Sequence, residues 1–318
     1  MITPQALRPF LATALEKTDF PALGERYQGK VRDVYRQPEE KRTILIATDR
    51  QSAFDINWCT IPLKGQVLSL MPTHVLDLPD PNVTVVKDLR IIQVEIVVRA
   101  YLTGSTKTSA WVNYSSGVRN FCGNKLPEGM VKNQPFKDII LTPTTKSKDD
   151  ELIDPKGIVA QGLATKKQWD EITEKAFAVF RRGQKIAREH GLILVDTKYE
   201  MGVDEHGTIT LADEVHTPDS SRYWVAETYE ERFERGEEPE SLDKEFFRLW
   251  VRSQGFEYED ESTWPKITDD VRVMLASRYI ELYERMTGKT FTLPSGSDVA
   301  ARIGKNLQRY MVVPHGVA

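Results

Sequence analysis

In the N-terminal part of the chain, apolar positions fall at strand spacing. Residues 27–35 set β-branched Val31 and Val34 among polar neighbours, Gln37-Pro38-Glu39-Glu40 supplies turn residues, and 43–47 is a short apolar run, which together predict a hairpin. Strand character continues through 83–86 and 91–98. The period then lengthens. A capping box, Thr165-Lys166-Lys167-Gln168, opens a helix in which Trp169, Ile172, Ala176, Val179, Phe180 and Ala187 recur at helical spacing until Gly191 stops it. Two strands are expected next, 192–200 and 208–213, around the turn Asp204-Glu205-His206-Gly207. Ser241 and Thr268 stand where the N-caps of two further helices belong, with Gly255 and Gly288 as their stops. The pattern predicts a small β-rich lobe with a leading helix over 1–92 and a larger mixed lobe over 93–318.

Composition narrows the class. With 318 residues, 40% hydrophobic and 28% charged, the chain can bury a large core and is neither disordered nor a disulfide scaffold. Its 43 Lys+Arg against 47 Asp+Glu give a net charge of -4, so no global field draws nucleic acid or an anionic membrane, and any anion site must be local. Cys59 and Cys122 show no metal-ligand spacing and are expected as reduced thiols. The first residues lack a basic and apolar leader, and no apolar run approaches the roughly 18 residues of a membrane span. A cytoplasmic protein without nucleic-acid or membrane partners is expected; the oligomeric state cannot be read from one chain. His74, His190, His206, His216 and His315 form no ligand set, and only His216 adjoins a carboxylate cluster.

Strand alternation places Asp196, Lys198 and Glu200 on one face. A turn centred at Glu205 and His206 pairs Glu200 near 211–212 and brings Asp213 and Glu214 close to it. Carboxylates beside a lysine suit Mg²⁺ bound with phosphates; a solvated charged face explains the same alternation. In Thr217-Pro218-Asp219-Ser220-Ser221-Arg222-Tyr223-Trp224, Arg222 can fork onto a phosphate or make an ordinary ion pair. A second anion site is suggested where an apolar strand ends in Arg99 and Tyr101-Leu102-Thr103-Gly104-Ser105 follows. There Ser105 or Thr106 is expected to cap a helix running through Ala110, Trp111 and Tyr114 to Gly117; a structural arginine beside a capped helix is the alternative.

Gly24-Glu25-Arg26-Tyr27-Gln28-Gly29-Lys30-Val31 nearly matches a P-loop but fails at Val31, which lacks the hydroxyl, and it continues as a strand. The better reading is a hairpin in which Gly29 admits phosphates close to the backbone while Lys30 and Arg32 share a face. That plan is a kinase small lobe, yet neither HRD nor DFG occurs. GxSxG, HExxH, CxxC and GxGxxG are also absent, and the SxxK match at Ser241 to Lys244 reads as a helix start.

Taken together, five segments resemble the SAICAR synthetase family of purine biosynthesis, in family order. They are Gly29-Lys30-Val31-Arg32-Asp33-Val34-Tyr35, Thr48-Asp49-Arg50-Gln51-Ser52-Ala53-Phe54-Asp55, Leu141-Thr142-Pro143-Thr144-Thr145-Lys146, Val195-Asp196-Thr197-Lys198-Tyr199-Glu200, and Asp213-Glu214-Val215-His216-Thr217-Pro218-Asp219-Ser220-Ser221-Arg222. The resemblance implies an α+β fold, with a kinase-like small antiparallel β lobe over a larger mixed lobe and ATP in the cleft. It also implies an ATP-dependent ligase joining the carboxylate of carboxyaminoimidazole ribonucleotide to L-aspartate, with Mg²⁺, through an acyl phosphate.

By the same resemblance Gly29, Lys30 and Arg32 cover the ATP phosphates and the segment at Lys87 holds adenine. Glu200 and Asp213 bind Mg²⁺, and Lys198 bridges ATP and the imidazole substrate, so that Lys30, Lys198 and Asp213 are the expected catalytic residues. Arg99, Ser105 and Arg222 take the 5′-phosphate, with Ser221 beside them. Asp49, Ser52 and Asp55 lie near the imidazole, and Thr144 and Lys146 near aspartate. Ser147-Lys148-Asp149-Asp150-Glu151 replaces the Glu-His-Asp continuation of many relatives. A small-metabolite kinase, or a regulator that binds ATP without turnover, are the rivals. Of these, Lys198, Glu200 and Asp213 disfavour the regulator.

Overall fold

The computed structural model describes residues 2–71, 76–147, 150–296 and 298–312. His74, His315, Ser297, Lys148 and Asp149 therefore lie outside the described residues. The chain divides into two compact units, Met1–Asp88 with Phe247–Ala318, and Leu89–Phe246. The break after Asp88 falls close to the expected boundary at 92. Phe247–Ala318, grouped by the sequence pattern with the larger lobe, packs with the N-terminal strands instead.

The first unit carries β1 (Arg26–Gln28), β2 (Arg32–Gln37), β3 (Arg42–Ala47), β4 (Arg50–Ala53), β5 (Ile56–Thr60), β6 (Asp77–Asp80) and β7 (Val83–Lys87). Five of them form an antiparallel sheet in the order β1-β2-β3-β7-β6, and β4 pairs with β5 alone. The strand expected over 27–35 is broken at Gly29, whose N–H donates to the Arg32 carbonyl at 2.8 Å, so Gly29-Lys30-Val31 is the tip of a β1–β2 hairpin. Leu23, Tyr35, Ile44, Ile46, Val83 and Val85 form the core of this sheet, and Ile303, Leu307 and Tyr310 from the C-terminal helix Val299–Asn306 and the turn after it complete that core. Arg302 of that helix forks onto Asp80 at 2.9 and 3.0 Å. The helix Lys64–Leu70 lies so close to the sheet that a Cβ at Gly65 would strike the Ala47 carbonyl and the Asn82 amide. Only glycine allows that approach.

The second unit carries β8 (Arg90–Ile91), β9 (Val94–Tyr101), β10 (Asn120–Phe121), β11 (Asn124–Lys125), β12 (Pro135–Leu141), β13 (Thr144–Thr145), β14 (Leu192–Val203), β15 (Ile209–Ala212) and β16 (Ser221–Val225). Its sheet is built on β14, which pairs with β9, β15, β16 and β8, while β9 also pairs with β12 and β13. The predicted helix is present as Lys166–Glu189, with both halves of the capping box formed and Trp169, Ile172, Ala176, Phe180 and Ala187 buried. Thr165→Ala removes the acceptor for the Gln168 N–H at 3.2 Å and should lower unfolding free energy by about 1 kcal/mol, read from the urea midpoint at unchanged slope.

Two expected caps move. The helix Ala110–Ser115 starts after Ser109, not Ser105 or Thr106, because the Ser109 hydroxyl bonds the Thr106 carbonyl at 2.6 Å and closes a turn there. At Lys244–Ser253 it is Asp243, not Ser241, that accepts the Glu245 N–H, at 2.6 Å; Ser241 supports that carboxylate from behind at 3.0 Å. Thr268 caps Asp269–Thr287 as expected, and Gly288 ends it.

Candidate active site

The β14–β15 register sets Glu200 opposite Ala212, so the turn lies where sequence spacing puts it and Asp213 follows directly. Asp213 is exposed and takes a left-handed backbone, φ 59°. On β14, the Lys198 ammonium sits 2.5 Å from Glu95 of β9 and 3.6 Å from Glu200. The other Glu200 oxygen pairs with Lys146 at 2.5 Å, and Thr144 donates to Glu95 at 3.1 Å. Glu95, Lys198, Glu200 and Lys146 thus alternate in charge, with Lys198 partly exposed. Burial alone would lower the Lys198 ammonium, but Glu95, Glu200 and Asp213 more than offset it and hold its pKa above the ordinary lysine value.

Higher on the same strand a second cluster forms around Asp196. Arg99 and Arg222 both donate to one Asp196 oxygen, at 3.2 and 2.5 Å, and Arg222 reaches Glu245 at 3.2 Å. All four side chains are nearly buried. Arg99 is anchored further by Thr142 at 2.8 Å and the Thr108 carbonyl at 3.1 Å. Burial lowers the Arg99 pKa against the pull of Asp196; the Arg222 pKa is raised, burial being outweighed by Asp196, Glu245 and Asp243. The 103–105 loop lies against Arg222, since a Cβ at Gly104 would come within 3.1 Å of its Nη2. Two guanidiniums and the Gly104 backbone are therefore neighbours, with Asp196 as the acceptor the arginines share. Ser221 is buried beside them and exchanges a 2.7 Å hydrogen bond with Thr197.

In the first unit Lys30, at the hairpin tip, pairs with Asp55 at 2.6 Å, both exposed. Arg32 is the first residue of β2 and Lys87 is exposed at the end of β7. Asp49 is buried: its oxygens accept the Leu15 and Gly65 N–H groups at 2.7 and 2.8 Å, and burial pushes its carboxyl up to about 6 despite those bonds. Ser52 is buried on the β4–β5 hairpin. Asp33 and Arg50, carried in two of the motifs, pair in the interior at 2.9 Å.

His216 has a structural place. Its imidazole lies 2.5 Å from the Tyr199 hydroxyl and packs over Gly183, where a Cβ would overlap the ring. Burial pushes its pKa from 6.5 down to about 4. Between those values the unfolded chain holds the extra proton, so this stabilisation is complete above pH 6.5 and is lost as pH falls toward 4, by up to about 1.4 kcal/mol per pH unit. His216→Asn, tolerated at a φ of 59°, should make the stability of the chain less acid-sensitive by one proton in urea titrations at pH 7.5, 6 and 5.

The SAICAR synthetase family model matches residues 25–265. A phosphoribosylaminoimidazole-succinocarboxamide synthase of Legionella pneumophila (strain Paris) is 47% identical over 311 residues, covering 93% of this chain and 98% of that protein. The chain belongs to the SAICAR synthetase family. A chloroplastic synthase of Arabidopsis thaliana is 46% identical over 94% of this chain and 77% of its own. Among solved structures, the SAICAR synthase of Saccharomyces cerevisiae complexed with SAICAR aligns at TM-score 0.74 with 29% identity, over 88% of this chain and 100% of that one. A type-2 SAICAR synthetase in complex with ADP shares the fold at TM-score 0.64 and 23% identity, over 85% of this chain and 100% of that one. As a SAICAR synthetase, the chain is an ATP-dependent ligase that joins carboxyaminoimidazole ribonucleotide to L-aspartate in purine biosynthesis. The comparisons favour this over the metabolite kinase.

Sequence reasoning passed over Glu95, the nearest partner of Lys198. The signal was there: Glu95 interrupts an apolar strand two positions from Val97 and four from Arg99, on their face. Asp196 was placed on the right face but without its role of joining the two arginines.

Proposed function

We propose that the Glu95–Lys198–Glu200–Lys146 ladder is where the phosphoryl group and the acceptor carboxylate meet. The observation that carries this is the Lys198 ammonium, held between carboxylates at 2.5 and 3.6 Å and still open to solvent. A carboxylate is a poor acyl donor until phosphorylated, and two lysines at fixed positions neutralise the charge that gathers as it is phosphorylated and then displaced by the aspartate amine. Lys198 lies against the carboxylate being activated. Rigid strands hold it there, so little reorganisation accompanies the reaction.

Glu200 and Asp213 are assigned to Mg²⁺. Among the described residues no group of three or more His, Cys, Asp or Glu could form a protein-only cage. Hard carboxylate oxygens, few in number and next to lysines, suit a Mg²⁺ that completes its shell with water and phosphate oxygens. When bound, the ion would screen the phosphates and polarise the transferring group. To ATP we assign Gly29, Lys30, Arg32 and Lys87; the ADP complex named for one structural relative supports nucleotide binding as such. To the ribonucleotide 5′-phosphate we assign Arg99, Ser105, Ser221 and Arg222, and to the imidazole Ser52 and Asp55. Asp49, the residue before that hairpin, instead ties the Leu15 backbone to the start of the helix Lys64–Leu70. Thr144 and Lys146 are assigned to L-aspartate. We place the enzyme in the cytoplasm; none of the described helices is long and apolar enough to cross a membrane.

The test is ADP release by the purified protein with ATP, Mg²⁺ and carboxyaminoimidazole ribonucleotide, with and without L-aspartate. Aspartate-dependent ADP and SAICAR in equal amounts are expected. ADP released equally without aspartate would contradict the coupled acyl-phosphate scheme.

A further inference from the structure

The turn between β4 and β5 has an unsuitable residue at its first position. Ser52 pairs with Asn57 and Ala53 with Ile56, leaving a two-residue loop, Phe54-Asp55, with φ of 52° and 60°. Loops with both central residues left-handed favour Asn-Gly, because a Cβ is strained there and a bulky aromatic most of all. Turn stability does not explain Phe54.

Packing does. The Phe54 ring stacks on Phe256 with centroids 5.1 Å apart and planes inclined by 25°, and the Arg252 guanidinium lies 5.4 Å from its centroid. Phe256 in turn meets Trp58 at 5.4 Å and Trp264 at 6.2 Å. The Trp58 indole N–H closes the clamp by donating to the Ala53 carbonyl at 3.0 Å, beside the turn. A segment distant in sequence therefore grips the hairpin tip through one ring. On the other side of the tip the exposed Asp55 carboxylate is aimed at Lys30, 2.6 Å away. An exposed ion pair of this kind holds little by itself, so the direction of Asp55 is set by the turn beneath it.

We infer that Phe54 is a positioning residue: gripped by Phe256, it holds a strained turn so that Asp55 is presented to the ribonucleotide. This rests on the assignment of Asp55 to the imidazole substrate. Strain kept in place by surrounding packing is a mark of functional loops.

Three variants test it, each followed by steady-state kinetics and thermal unfolding. Phe54→Ala removes the ring and leaves a residue that the left-handed turn disfavours, so the KM for carboxyaminoimidazole ribonucleotide should rise about tenfold while that for ATP stays within about twofold. Phe256→Leu removes the gripping ring and leaves the turn sequence intact; the same KM shift is expected. Asp55→Asn should raise the ribonucleotide KM at least as much. If Asp55→Asn leaves that KM unchanged, the substrate assignment fails and the inference with it. If Asp55→Asn raises it but either of the other two variants does not, the assignment stands and the positioning role is overturned.

Discussion

Lys198→Met should lower kcat for SAICAR formation by about a thousandfold while the protein remains folded. Methionine keeps most of the aliphatic stem and removes only the charge. What is lost is a cation fixed 2.5 Å from Glu95 and 3.6 Å from Glu200, at the place the proposed reaction scheme gives to phosphoryl and acyl transfer. The side chain is 38% exposed but Glu95, 13% exposed, loses its nearest cation, so the change should cost about 1–3 kcal/mol, short of unfolding the protein. Lys198→Arg keeps the charge but spreads it over a planar fork, and partial recovery of kcat is expected. Single-turnover ADP formation separates the steps: the variant should fail before ADP appears. Wild-type kcat in Lys198→Met would move the chemistry away from this ladder.

The parts of the site that sequence made legible are those governed by short-range rules. Strand alternation and turn spacing put Asp196, Lys198 and Glu200 on one face, and the observed pairing of Glu200 with Ala212 follows from the turn alone. The helix Lys166–Glu189 was equally legible, since its capping box and apolar stripe agree. What lay hidden depends on contacts between distant segments. Glu95 meets Lys198 across 103 residues, and no local rule pairs β9 with β14. The place of Ile303, Leu307 and Tyr310 in the N-terminal core is likewise a tertiary fact. Charged motif residues were the other blind spot. Asp49 was expected beside the imidazole, yet its carboxylate holds backbone N–H groups in the interior, where the motif residues Asp33 and Arg50 pair with one another.

Asp196→Ala should cost about 3–5 kcal/mol of unfolding free energy, the largest stability loss expected in the second unit. Asp196 is the shared acceptor of Arg99 and Arg222, and both guanidiniums are nearly buried. Without it, two like charges face each other out of water. Glu245, at 3.2 Å, still faces Arg222, whereas Arg99 keeps the neutral acceptors Thr142 and the Thr108 carbonyl. Asp196→Asn preserves the shape and should still lose most of the stability, since the charge is what balances the pair. The same variant examines the phosphate assignment. If Arg99 and Arg222 take the 5′-phosphate, an added phosphomonoester such as ribose 5-phosphate supplies the missing negative charge, binds the folded state and raises the melting temperature of Asp196→Ala by more than it raises that of the wild type. Equal shifts in both proteins would mean that the arginines serve the fold alone and that the phosphate is held elsewhere.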